Sequence, residues 1–248
     1  MEAPDFELVA EREGGDEAGR FRRAAMLYGT ANASKESIRR FVVERYMVER
    51  TILVCGVGLQ ACIERDGIEA TLGAVAAFVE VSKPEVLARG GEILEYNIFA
   101  FDRVEAAIEA ALVIRDGVIS ARQLGSRTGA GGDGVPLEIT GMGVHRGELL
   151  VVRGTDVHWG DPLNTAKLGE DTATGGALLV TGPCRENIRG THLDARLGYT
   201  KRAITVSGVD IDCFEVAERR QGGGRGERTS RRARAPSSSS SSSSLLGD

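Results

Sequence analysis

With 248 residues, 42% of them hydrophobic and 27% charged, the chain has the composition of an ordinary globular protein with enough length for one substantial core. Nowhere do 18 apolar residues run together, and the acidic opening MEAPDFELVAEREGGDEAGRF lacks an apolar export segment, so no transmembrane segment and a cytoplasmic location are expected. The net charge of −5 is unevenly spread: from Arg219 onward seven arginines face only Glu227 and Asp248, which leaves about −10 on the body and argues against nucleic acid as a partner there.

Cys55, Cys62, Cys184 and Cys213 contain no CxxC pair, so neither a zinc site nor a disulfide framework is expected, and they read as reduced core thiols. His145, His158 and His192 are scattered without ligand spacing, so they suggest no metal site.

In chain order, Asp16 is placed to cap a first helix through Tyr28, with Phe21, Ala24, Ala25 and Tyr28 on one face. Ser34 is placed to cap a second, with Ile38, Phe41, Val42 and Tyr46 as its apolar stripe. Residues 1–50 are therefore expected to form a helical extension, and residues 51–218 the main domain. Thr51 to Cys55 (TILVC) is a continuous apolar run, the pattern of a central strand buried on both faces. A helix is expected from Gly67, with Ile68, Leu72, Val75, Ala76 and Val79 on its buried face, ending near Pro84 and Gly90-Gly91. EILEYNIFAF, Glu92 to Phe101, is strand-like, with Asn97 as its available turn residue, and Asp102 to Ile114 is helical in pattern.

Gly117 to Pro136 reads as a long surface loop. Leu137 to Val144 and Glu148 to Val152 are then expected to pair as a hairpin turning at His145-Arg146-Gly147. The loop from Gly154 to Pro162 leads into a helix carrying Leu163, Ala166 and Leu168. Polar groups on a short loop and first helical turn describe a candidate site, although a solvated connection has the same pattern. Ala177 to Thr181 is another core strand, and Ala203 to Val206 with Asp210 to Val216 a closing hairpin. From Arg219 to Asp248 the Arg, Gly and Ser content, with eight consecutive serines from Ser237, cannot bury enough apolar surface to fold, so a disordered tail is expected. The element order fits an α+β domain with one mixed sheet covered by helices. No GxGxxG or Walker-type phosphate loop lies between a strand and a helix.

WGDPLNTAKLGED, Trp159 to Asp171, resembles the loop and helix around the ribose-binding Asn of the class III nucleotidyl cyclase catalytic domain, the adenylate and guanylate cyclase family. TILVC, RDGIEATL, RGGEILEY, NIFAFDRVEAAIEAAL, GVHRGELLVV and ALLVTGP extend the resemblance, in order, over roughly Thr51 to Val216. It implies the family's ferredoxin-like fold with a mixed, largely antiparallel sheet. It also implies an active site completed by a second cyclase domain in a homo- or heterodimer, ATP or GTP as substrate, and Mg²⁺ or Mn²⁺ as cofactor. Asn164 then matches the ribose-orienting and catalytic Asn, and Asp156 the base-reading aspartate. Lys167 stands near the family's transition-state Arg, three residues after Asn164 instead of four, without the guanidinium fork.

The resemblance fails at the metal ligands. Gly56 stands where the first metal aspartate belongs, and Tyr96 passes directly to Asn97 where the second is expected, as if about three residues were absent. Glu95 falls near the base-reading lysine. The remaining carboxylates considered, Asp66 and Asp102, would serve only after a rearrangement. The expectation is therefore a domain that makes cyclic nucleotide only as one half of a heterodimer, with the metal carried by ligands of a partner chain. The alternative is a catalytically inactive pseudo-cyclase acting as a dimerisation, scaffold or regulatory subunit.

Overall fold

Strand β1 (Met47–Val57) runs through the centre of the protein, and residues 51–56 are all buried, as a run apolar on both faces requires. The structure, a computed structural model, describes residues 16–28, 35–127, 137–152, 155, 158–206 and 209–219. The remaining strands are β2 (Glu92–Glu95), β3 (Ile98–Phe101), β4 (Ile139–Val151), β5 (His158–Trp159), β6 (Ala177–Thr181), β7 (Leu197–Val206) and β8 (Val209–Glu218). They form one 8-stranded sheet in the order β2-β3-β1-β4-β6-β8-β7, with β5 paired to β4. The β4–β6 contact is parallel and the other pairs are antiparallel, the mixed α+β sheet expected.

Successive side chains of β1 point to opposite layers. Leu53 and Cys55 face the larger core with helices α3 (Leu59–Ala88) and α4 (Val104–Arg127), whereas Ile52 and Val54 face a smaller one with Leu149, Ala100 and Ala166 of helix α5 (Asp161–Thr172). The short helices α6 (Gly182–Asn187) and α7 (His192–Arg196) place Cys184 and Leu193 in the larger core. Helices α1 (Glu17–Tyr28) and α2 (Lys35–Tyr46) form a separate cluster, in which Phe21, Ile38, Phe41 and Tyr46 pack with Val152 beyond β4. Asp16 caps α1 by accepting a hydrogen bond from the Gly19 amide at 2.8 Å; Ser34 lies outside the described residues.

Several expectations are corrected by the larger architecture. No hairpin turns at His145-Arg146-Gly147: β4 passes straight through these residues, pairing Thr51 with Arg146 and Arg50 with Gly147. The long neighbour β1 supplies the ladder, and Arg146 is held in it by donating to Glu49, Thr51 and the Asp102 carbonyl. Helix α3 begins at Leu59, and its non-helical Gly67 (φ 84°, ψ 178°) resets the phase of the turns that follow. The buried stripe is therefore Thr71, Ala74, Phe78, Ser82 and Val86, with Phe78 stacked on Phe99 at 6.4 Å, while Ile68 and Leu72 are exposed. Helix α4 continues to Arg127 rather than stopping at Ile114, because Val118 still reaches the core and Gly117 lets the helix lie against Val81. EILEYNIFAF does form a hairpin, with β2 and β3 joined at Tyr96-Asn97.

Helix α5 lies unusually close to the sheet because the strand beneath it lacks side chains on that face. A Cβ at Gly141 would come within 2.6 Å of the Glu170 carbonyl oxygen, and one at Gly143 within 2.7 Å of the Glu170 amide while overlapping the Ala166 carbonyl. Gly143→Ala must lift α5 off β4, and overpacking against backbone costs on the order of 3 kcal/mol. Chemical denaturation should report a loss of about that size, and an unchanged midpoint would contradict the close seat.

Candidate functional site

The candidate site is assembled where the C-terminal end of β1, the β2–β3 turn and α5 meet. Pro162 opens α5 in its first turn, and Asp161 sets a negative charge at the positive end of the helix dipole. His145 fastens this helix start to the sheet. Its Nδ1 lies 2.8 Å from the Thr181 hydroxyl and its Nε2 3.5 Å from the Asp161 carboxylate, whose other oxygen accepts from Thr165 at 3.2 Å. Burial holds the His145 pKa below its ordinary value, and the Asp161 charge offsets this only in part.

Asn164 is exposed on the first turns of α5. Lys167 reaches one turn forward along its own helix, paired with Glu170 and, at 3.0 Å, with Asp171. Burial lowers its pKa, but the hydrogen bonds it donates to these two carboxylates, with their charges, outweigh that and leave it raised. Asp156 lies outside the described residues.

Gly56 is occupied from above. A Cβ there would collide with the Glu170 carboxylate and lie 2.5 Å from the Thr140 hydroxyl, so an aspartate and the observed Glu170 exclude one another. Glu170 is only 6% exposed, and its burial pushes the carboxyl pKa up, with Lys167 opposing the shift. Beside it the hairpin turn is sewn to β1: the Asn97 side-chain amide donates to the Cys55 carbonyl at 2.9 Å, and the Cys55 amide donates to the Asn97 carbonyl at 3.0 Å. Glu95 is exposed.

These residues do not suit a divalent ion. Gly56 offers no donor, the Asn97 amide is spent on β1, Glu170 already has a cation, and among the described residues no cluster of three or more His, Cys, Asp or Glu side chains is placed to hold a metal. Asp66 pairs with Arg65 at 2.7 Å and Asp102 with Arg50, which takes both away from this site. Sequence reasoning missed Glu170 and His145. The alternate glycines Gly141 and Gly143 on one strand face were the available signal of a close-lying element.

The same architecture recurs in solved structures. The adenylyl cyclase CyaB from P. aeruginosa superposes with a TM-score of 0.59 at 20% identity, covering 71% of this chain and 96% of that one. The guanylyl cyclase Cya2 gives 0.54 at 18% identity over 72% and 96%. The guanylate cyclase domain of RhGC from Catenaria anguillulae, solved in complex with GTP, gives 0.54 at 15% identity over 70% and 97%. No family model and no curated protein matches the sequence. The chain has the fold of the class III nucleotidyl cyclase catalytic domains.

His145 provides a pH test of this site. A base whose pKa is lowered on folding binds fewer protons in the native state than in the unfolded one, so its contribution to stability is full above the ordinary value of about 6.5 and declines as pH falls through that value toward the lowered one. Between pH 7 and 5 the wild-type chain should therefore lose more stability than His145→Gln. Parallel denaturation profiles for the two would contradict the linkage.

Proposed function

We propose that this chain is the half of a two-chain nucleotidyl cyclase that does not carry metal. In this reading it forms cyclic nucleotide from ATP or GTP only beside a cyclase domain that holds the catalytic Mg²⁺ or Mn²⁺. The observation that carries the reading is the Glu170 carboxylate over Gly56: the chain's own metal position is filled and neutralised, while Asn164 remains exposed earlier on the same helix. Asn164 would orient the ribose, and Asp156 would read the base. Lys167, bound to two carboxylates, has little charge left for a phosphate in its present position. The Arg/Gly/Ser-rich tail lies, from residue 220 on, outside the described residues. The domain limits of 51–218, with a helical segment before, are part of the same proposal. So is a cytoplasmic location, supported by four buried free thiols. Among the described residues no helix is long and apolar enough to cross a membrane.

A second reading has its own support. With Lys167 paired to Glu170 and Asp171, the chain suits a pseudo-cyclase that pairs with a catalytic domain as a scaffold or regulatory subunit and contributes nothing to the chemistry.

Purified chain should be assayed alone and mixed with a metal-competent cyclase domain, with Mg²⁺ or Mn²⁺ and with ATP or GTP. The first reading expects no product from the chain alone. It expects product from the mixture, falling about 100-fold with Asn164→Ala, since misplacing a reacting group by about 1 Å costs that much. Product from the isolated chain would overturn both readings. Silence in every combination would leave the scaffold.

A further inference from the structure

At the end of β1 a buried carboxylate stands where the cyclase resemblance places a metal ligand, but it comes from a different element and brings its own cation. Glu170 belongs to α5, and its carboxylate fills the space that a side chain on residue 56 would take. Lys167, one turn earlier on the same helix, caps that carboxylate and also reaches Asp171 at 3.0 Å. Beside the pair, the β2–β3 turn is fastened to the end of β1 through Asn97 and Cys55. The single ammonium balances the buried Glu170 carboxylate, while Asp171 is half exposed and keeps its charge in solvent.

We propose that the Lys167 ammonium is a resident counter-ion that takes the place of the divalent cation in this chain, so that the β1 end of the site is assembled and neutralised in the absence of metal. The inference rests on reading Gly56 and Tyr96-Asn97 as the family's metal positions, and it deepens the proposal that metal comes from a partner. An ammonium differs from a divalent ion in the respect that matters: it donates hydrogen bonds to carboxylates and keeps no open coordination position for a phosphate oxygen. A chain built this way keeps its fold without metal and has no means of running the reaction alone.

The test uses thermal unfolding of the full chain with and without Mn²⁺, together with electron paramagnetic resonance of free Mn²⁺. Wild type should show no shift of Tm in millimolar Mn²⁺ and no uptake of the ion. Lys167→Met leaves Glu170 buried without its cation, and at pH 8 Tm should fall by at least about 4 °C. At pH 5 the loss should shrink, because Glu170 is then able to protonate. Millimolar Mn²⁺ should restore at least half of the pH 8 loss in Lys167→Met, and nothing in the Lys167→Met, Glu170→Gln double variant, which should itself recover Tm without metal. Uptake of Mn²⁺ by wild type that disappears in Glu170→Gln would overturn the proposal. Absence of Mn²⁺ rescue in Lys167→Met would also overturn it, reducing the pair to an ordinary salt bridge. The wild-type binding arm decides even if Lys167→Met does not fold. Activity of the mixed chains without Mn²⁺ rescue would sink this inference alone and leave the two-chain reading standing.

Discussion

The arrangement of this domain depends on how closely α5 can approach β4. Helices usually stand about 10 Å off a sheet because side chains fill the gap, but Gly141 and Gly143 leave that gap empty along one face of β4. The Ala166 carbonyl and the Glu170 amide then lie almost on the strand backbone. This contact fixes how deeply α5 sits, and therefore which of its residues meet β1. Ala166 joins Ile52, Val54 and Leu149 in the smaller core, and Glu170 reaches across to Gly56. At the other end of α5, His145 ties Asp161 to Thr181 on β6, so the helix is held at both ends.

Electrostatics follow from that placement. Asp161 at the start of α5 complements the helix dipole, whereas Glu170 and Asp171 lie in its last turn, where the dipole disfavours negative charge. Burial of Glu170 adds a second unfavourable term. Lys167, within a turn of both, lies along the helix and answers the two at once. The departures from the cyclase pattern are thus mutually consistent. Gly56 gives room to Glu170, Glu170 needs Lys167, and the tight β2–β3 turn lets Asn97 bond directly to the Cys55 backbone. Residues scattered in the linear sequence form one packed corner in three dimensions.

Much of the secondary structure was legible because local rules agree with the fold. TILVC is buried throughout since β1 is flanked by β3 and β4 and covered on both faces. The helix after Trp159 and the closing β7–β8 hairpin follow their patterns for similar reasons. The readings that failed did so where a distant element overrode a local signal. His145-Arg146-Gly147 has the composition of a turn, but β1 offers these residues a complete ladder. Ile68 and Leu72 fit an apolar helical stripe, but the break at Gly67 changes the phase and Phe78, stacked on Phe99, sets the buried face. The assignments of Asn164 and Lys167 came from the resemblance around WGDPLNTAKLGED, whereas the seat of Glu170 over Gly56 had only the alternate glycines Gly141 and Gly143 as a signal, since the two residues lie more than a hundred positions apart.

The sequence by itself determined the α+β order of elements, the central buried strand, the motif around Asn164 and the absence of an aspartate at position 56, because each is written in the identity and spacing of neighbouring residues. Only the tertiary structure decided what fills the space above Gly56 and where the Lys167 charge goes. Those outcomes depend on the depth of one helix over two glycines, a distance set by packing between elements far apart in the chain.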